Sequence, residues 1–298
     1  MSATRIPVLD VGGTHVTAAL VEDARVHLAR TRALDADADA DADAIVDVIA
    51  ATADELAVPN DESWAVAMPG PFDYAAGRGT FEGVGKFGGL AGVDLGQRLA
   101  ERLGTVRDRV VFVNDADAYA LGEWGAQGRP DRLCCVTLGT GVGAGFVEGG
   151  GILTDDPRVP AGGDLYHQRW RGDALEDHVS RRALVRAYGV PGLDVADIAR
   201  RGTAGEPAAV AVFDHAMSVL ADVLSPWMDA FRPAALVVGG AIAGSWDLVG
   251  PPLDAALRRA GVPSVDVKSS VLSQDAPLIG AAELVRSAHG SVERRTRR

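Results

Sequence analysis

The stretch VLDVGGTHVTAALV (residues 8–21) decides the architecture. Apolar residues run to Val11, two glycines interrupt them, and a second apolar run resumes at Val16. The pattern is strand, glycine turn, strand, with no helix entering after the glycines. A dinucleotide-binding βαβ unit needs a helix there, and the Walker phosphate loop needs a Gly-Lys-Ser/Thr that is absent. The same arrangement returns as VTLGTGVGAGFV (residues 136–147). One copy in each half of a 298-residue chain predicts two similar α/β lobes facing each other across a cleft, where function is expected.

Around these two turns the remaining elements fall into place. WAVAMPGPFD (64–73) reads as a buried strand running into a Pro-Gly-Pro loop that holds Gly70, and ALVVGGAIAGSW (235–246) as a strand ending in a glycine pair. Helical periodicity marks 45–57, the Leu95, Leu99, Leu103 stripe, 175–188, 208–231 with a kink at Pro226, and a closing helix at 277–288. The repeat DADADADADA (35–44) reads as an acidic linker and helix start, where carboxylates suit the helix dipole. The domains expected are residues 1–114 and 115–276, with a C-terminal helix at 277–290 packing back on the first.

Composition narrows the function classes. Twenty-nine basic against 41 acidic residues give a net charge of −12, which opposes a nucleic-acid surface. The basic cluster RRTRR (294–298) reads as a frayed, solvated tail. No apolar run in the sequence reaches a membrane-spanning length and no signal peptide precedes the first strand, so the expected location is the cytoplasm, away from membranes. The two cysteines, Cys134 and Cys135, are adjacent in a strand and should face opposite ways, which excludes a shared bridge or metal.

The glycine turns offer bare backbone N–H groups. Gly12, Gly13 and Thr14 in the first, Gly139, Thr140 and Gly141 in the second, and Gly239 with Gly240 after a further strand would together clamp phosphates. Any one of them alone is a tight turn. Asp10 stands at a strand end beside the first turn, suited to Mg²⁺ directly or through water. In VVFVNDADAYALGEWG (110–125) a buried strand ends on Asn114 and Asp115 as a helix begins. Either residue could cap that helix, and a helix N-terminus favours an ionised Asp115.

The motifs DVGGT, NDADAYALGE, LGTGVG and VVGGAI, with IGAAE near the C-terminus, resemble the ROK family of bacterial sugar kinases and related repressors. The resemblance implies a two-lobed actin-like, ribonuclease-H-like fold, ATP with Mg²⁺, and a homodimer. It implies Asn114 as a sugar contact and Asp115 as catalytic base, with Gly70 also in the substrate set. In GGDLYHQRWRGDALEDHVS (162–180), His167 matches the family's histidine and Glu176 the Glu of its Leu-Glu pair. Asp164 stands where the family has Glu, and Tyr166 where it has Gly. The zinc cysteines are missing, so no zinc site is expected and His167 is free for a sugar hydroxyl, its plainer alternative being a loop histidine packed on Trp170. Lys86, one of only two lysines, falls near the family's sugar-binding Asn, its plainer alternative being a solvated loop charge.

The activity expected is ATP-dependent phosphorylation of the C6 hydroxyl of glucose or a related hexose. Asp164 is one methylene shorter than Glu, and the acids Asp115, Asp164 and Glu176 would welcome an ammonium group. An amino-sugar 6-kinase acting on kanosamine, glucosamine or N-acetylmannosamine is therefore the alternative. A sugar-responsive repressor would need an N-terminal helix-turn-helix, for which a strand starting at Ile6 leaves no room. A non-catalytic sugar sensor is opposed by the intact Asp10 and Asp115.

Overall fold

The computed structural model describes residues 5–37, 39–81, 85–262 and 265–296, with side chains through residue 287. The basic cluster at 294–298 therefore lies outside the residues whose side chains are described.

Strands β1 (Ile6–Val11), β2 (His15–Glu22) and β3 (Arg25–Ala33) form an antiparallel meander. Helix α1 (Ala42–Asp54) follows, and β4 (Trp64–Met68) then pairs parallel with β1. After the small hairpin β5 (Phe72–Asp73) and β6 (Arg78–Gly79) and helix α2 (Leu95–Arg102), β7 (Val110–Asn114) completes a sheet ordered β3-β2-β1-β4-β7. Helix α3 (Asp115–Ala126) leads away from it. The second sheet starts with the antiparallel strands β8 (Arg132–Leu138), β9 (Val142–Glu148) and β10 (Gly151–Ile152). A two-stranded hairpin follows, β11 (Arg169–Trp170) with β12 (Asp173–Ala174). Four helices come next: α4 (Glu176–Val179), α5 (Arg181–Tyr188), α6 (Val195–Thr203) and α7 (Pro207–Phe231). Strand β13 (Ala235–Gly239), helix α8 (Trp246–Arg259) and strand β14 (Asp266–Ser269) complete this sheet before the closing helix α9 (Ala276–Thr296).

The second sheet is ordered β10-β9-β8-β13-β14, the same sequence of hairpin and parallel neighbours as the first. Each glycine-turn hairpin thus feeds a mixed sheet of one topology, an α/β fold built twice. By packing, residues 1–122 with 275–298 form one unit and 123–274 the other, and the division falls inside α3. The last turn of α3 goes with the second unit because its buried Glu123 is held there. The Glu123 carboxylate accepts hydrogen bonds from the Ser270 hydroxyl at 2.6 Å and from the Leu272 and Val271 amides at 2.9 and 3.1 Å.

In the first unit, Leu9 and Val11 of β1 join Ile45, Ile49, Leu95 and Leu99 in a buried cluster under α1 and α2. Strand alternation leaves Val8 and Asp10 on the other face. Helix α9 packs on β1 and β4 and lies close to α3. Small residues permit that approach: a Cβ on Gly280 would sit 1.8 Å from the Ala118 carbonyl oxygen, and one on Gly122 2.2 Å from that of Ala276.

In the second unit, α7 packs along α8 over β8, β9 and β13. Helix α7 is long and apolar enough to cross a membrane by length and composition, which corrects the expectation that no such run exists. Its apolar residues, among them Phe213, Met217, Leu220 and Leu224, are buried in this unit's core. The helix expected over 175–188 is broken at Ser180, whose hydroxyl accepts the Ala183 amide and starts α5 afresh. Cys134 and Cys135 are both buried and unpaired, and burial pushes both thiols above their ordinary range.

Candidate active site

In the first unit, the β1–β2 turn is closed by the Gly12 amide donating to the His15 carbonyl at 2.9 Å. The Thr14 carbonyl accepts the Leu34 amide at 2.8 Å, and the Thr14 hydroxyl lies 3.0 Å from His15 Nδ1. Asp10 sits one residue before the end of β1, paired in register with Thr17 and with Ala67 of β4. Burial, with the charge of Asp115 adding to it, pushes the Asp10 carboxyl from its ordinary 3.8 up to about 7. Asp10 and Asp115 are thus near enough to repel.

A raised folded-state pKa on a carboxyl means the native protein holds a proton that the unfolded chain has released. Stability is then lost as pH rises from about 4 towards 7. Asp10→Asn, assayed without metal or nucleotide, is expected to melt a few degrees above the wild type at pH 8, with the advantage shrinking towards pH 4. Melting temperatures that stay parallel over that range would contradict it.

The β7–α3 junction answers which residue caps the helix. Asn114 does: its Oδ1 accepts the Ala116 and Asp117 amides at 2.9 and 3.2 Å. Its Nδ2 donates to the Tyr74 hydroxyl at 2.9 Å, and that hydroxyl donates to the Met68 carbonyl at 3.3 Å. The Asn114 Nδ2 carries a second hydrogen, able to donate to a ligand. Gly70 belongs to the same cluster, since a Cβ there would lie 3.4 Å from the Tyr74 oxygen. Tyr74 went unrecognised in the sequence because nothing local to it signals a partner forty residues on.

Asp115 opens α3, its Oδ1 accepting the Ala116 amide at 2.8 Å. The sequence suggested a carboxylate favoured by the helix terminus, but the balance runs the other way. Burial raises its pKa, and the bonds from the Ala116 and Asp115 amides offset that only in part. A carboxylate held in this way is a stronger base than an exposed one. Lys86 lies over the first turn: a Cβ on Gly13 would meet its Cγ at 3.4 Å.

The second unit carries the other glycine turn. Gly139 donates its amide to the Gly141 carbonyl at 3.0 Å, and its own carbonyl accepts the Arg181 amide at 2.8 Å, tying the turn to the start of α5. Gly240, at φ +82°, abuts the backbone of Leu138, with 2.4 Å between a notional Cβ and the Leu138 oxygen. So the glycine pair after β13 and the β8–β9 turn meet, and only glycine fits at position 240. A groove of about 570 Å³ opens beside Thr140, lined by Arg181, Arg182, Val185, Arg186, Leu193 and Asp194. Arg181 is held by both carboxylate oxygens of Asp194 at 2.7 Å. These arginines were not singled out in the sequence.

Glu176 is placed by its contact with this turn. Its Oε1 accepts the Val142 amide at 3.0 Å, and a Cβ on Gly141 would come within 2.3 Å of that oxygen. Glu176→Ala leaves a part-buried amide unpaired, a loss of about 1–3 kcal/mol at the turn. With the turn holding phosphate, as the sequence leads one to expect, the KM for nucleotide should rise about tenfold, and Glu176→Gln, which keeps an acceptor, should restore it. A KM change confined to the sugar would place Glu176 with the sugar contacts instead.

Asp164 accepts the Tyr166 amide at 3.0 Å through Oδ1. His167 makes an edge contact with the exposed Tyr166 ring, centroids 5.1 Å apart, whereas Trp170 packs against His178 and His215. The Trp170 indole N–H donates to Asp222 at 3.0 Å, fastening the β11–β12 hairpin between His167 and Glu176 onto α7. Among the described residues no group of three or more His, Cys, Asp or Glu side chains is placed to hold a metal.

Against known proteins, the model of the ROK family matches residues 7–163 and 167–288. The glucokinase of Thermotoga maritima is 26% identical over 95% of this chain and 97% of its own length. An N-acetyl-D-glucosamine kinase of Yersinia pseudotuberculosis is 30% identical over 50% of this chain and 57% of its own. Among solved structures, a ROK family glucokinase from Streptomyces griseus in complex with glucose and AMPPNP superposes with a TM-score of 0.78 at 26% identity. That match covers 95% of this chain and all of the other.

Proposed function

We propose that this chain, which belongs to the ROK family, is an ATP-dependent hexose kinase that phosphorylates the C6 hydroxyl of glucose or a related hexose. The observation that carries the proposal is the β7–α3 junction, where Asn114 caps the helix and leaves Asp115 in a desolvated setting charge-coupled to Asp10. In the reaction the C6 oxygen forms a bond to the γ-phosphorus of ATP. The bond from that phosphorus to the bridging oxygen of ADP breaks, and the hydroxyl proton passes to Asp115. The transition state is loose, so the base chiefly orients the hydroxyl and takes its proton late.

Asn114, Asp164 and His167 are assigned to the sugar, with Gly70 and Tyr74 shaping the Asn114 side. Gly12, Gly13, Thr14, Gly139, Thr140, Gly141, Gly239 and Gly240 are assigned to the phosphates of ATP. Mg²⁺ fits the first unit's donor set, because two repelling carboxylates leave negative charge that a hard cation offsets. Asp10 would hold it, directly or through water, and when bound it neutralises phosphate charge. The same reading places the enzyme in the cytoplasm as a homodimer that needs no zinc.

A second reading, an amino-sugar 6-kinase, is favoured by Asp164, whose Oδ1 is taken by the Tyr166 amide while Oδ2 can receive an ammonium group. A coupled ATP assay across glucose, mannose, fructose, N-acetylmannosamine, glucosamine and kanosamine separates the two. The highest kcat/KM on glucose or another neutral hexose supports the first reading, and the highest on an amino sugar supports the second. No turnover on any of them contradicts both.

A further inference from the structure

We propose that Lys86 supplies the cation that holds the transferred phosphoryl group, reaching it from above the Gly12 and Gly13 turn, and that Asp37 holds its ammonium when no donor is bound. The assignment rests on the kinase reading and deepens it, since the sequence had placed Lys86 among the sugar contacts.

Three successive methylenes of Lys86 run along Gly13: a Cβ built there would meet Cγ, Cδ and Cε at 3.4, 3.5 and 3.8 Å. The stem therefore lies on the turn that is assigned to phosphate. Its backbone is fixed on the Phe87 side. Phe87 is 2% exposed, packs on Phe81 with ring centroids 5.2 Å apart, and donates its amide to the Ala36 carbonyl at 2.6 Å. Phe87 also takes a left-handed φ of +59°, a conformation a bulky residue adopts only when its surroundings enforce it. Lys86 and Asp37 form an isolated antiparallel bridge.

The ammonium pairs with Asp37. Both side chains are well exposed, at 43% and 61%, and such pairs contribute about 0–1 kcal/mol. A phosphate oxygen with more charge displaces Asp37 at small cost. Lysine suits the task better than the arginine this chain otherwise uses, because a flexible stem lets one point charge follow a moving group. The Lys86 ammonium offsets charge on the peripheral oxygens while the C6 oxygen–phosphorus bond forms, the phosphorus–ADP oxygen bond breaks and Asp115 receives the hydroxyl proton.

The test is steady-state kinetics with ATP and the best acceptor of the panel on the full chain, comparing wild type, Lys86→Met, Lys86→Arg and Asp37→Asn, each checked for an unchanged melting temperature. Lys86→Met is expected to lower kcat by about 10²–10³-fold with the sugar KM little changed, as for loss of one preorganised charge donor. Lys86→Arg should recover part of that rate, and Asp37→Asn should lower the KM for ATP. An active wild type with an equally active Lys86→Met variant overturns the assignment. So does a variant whose only change is a higher sugar KM, which returns Lys86 to the sugar contacts. An unchanged KM for ATP in Asp37→Asn removes Asp37 as the resting partner. A wild type that transfers nothing overturns the kinase reading and this assignment with it.

Discussion

Asp115→Asn is expected to lower kcat by about 10²–10⁴-fold, the usual worth of a positioned base, while sugar affinity measured by calorimetry stays near that of the wild type. The fold should tolerate the change because Asn114, not Asp115, caps α3, and an Asn at 115 can still accept the Ala116 amide through its own oxygen. The pH dependence gives a second readout. Burial raises the pKa of Asp115, so the unprotonated form proposed as the acceptor of the sugar proton gains population as pH rises through that elevated value. The wild-type rate should therefore climb with pH over a limb that lies above the ordinary carboxylate range, and the Asn variant should lack that limb. Turnover within a small factor of wild type, on the same pH profile, would remove Asp115 from the role.

The second large effect concerns the frame that holds the two acids. Gly280→Ala places a methyl 1.8 Å from the Ala118 carbonyl oxygen, and the neighbouring atoms there are backbone, which cannot rotate away. Helix α9 must lift from α3, and it also packs on β1 and β4. Overpacking of this kind costs about 1–3 kcal/mol and occasionally more, so a melting temperature lower by roughly 5–10 °C is expected. Because α3 begins with Asp115 and β1 carries Asp10, kcat should fall along with stability. An unchanged melting temperature would show that the helices separate without penalty.

How much of this was legible in the sequence depends on the kind of signal each element carries. The two hairpins were legible because a glycine turn between β-branched runs is a local pattern, and finding it twice pointed to a duplicated sheet. Strand β3 was not, since most of Arg25–Ala33 is exposed and only Val26 and Leu28 are part-buried, too short an alternation to mark a strand; it is held by backbone pairing to β2. Helix α8 carries Pro251 and Pro252, and prolines inside a helix obscure its periodic pattern. Its buried Leu248, Val249, Leu253 and Leu257 pack against α7 and outweigh them.

The candidate site divides the same way. Asn114 and Asp115 stand out because a buried strand stops abruptly on two polar residues. The contacts of Tyr74 with Asn114, of Glu176 with Gly141 and Val142, and of Lys86 with Gly13 join residues tens of positions apart, and spacing along the chain carries no trace of them. The sign of the Asp115 shift was missed for a related reason. The helix terminus is visible in sequence, whereas the desolvation that outweighs it arises only from tertiary packing.

The most direct measurement is ³¹P NMR of the wild-type protein with ATP and Mg²⁺ in the presence of each hexose and amino sugar. A phosphomonoester resonance coupled to the C6 methylene protons, growing as the γ-phosphate signal of ATP declines, is the result expected. Release of inorganic phosphate alone, or ATP left intact with every sugar, would contradict phosphoryl transfer to a primary hydroxyl at this site.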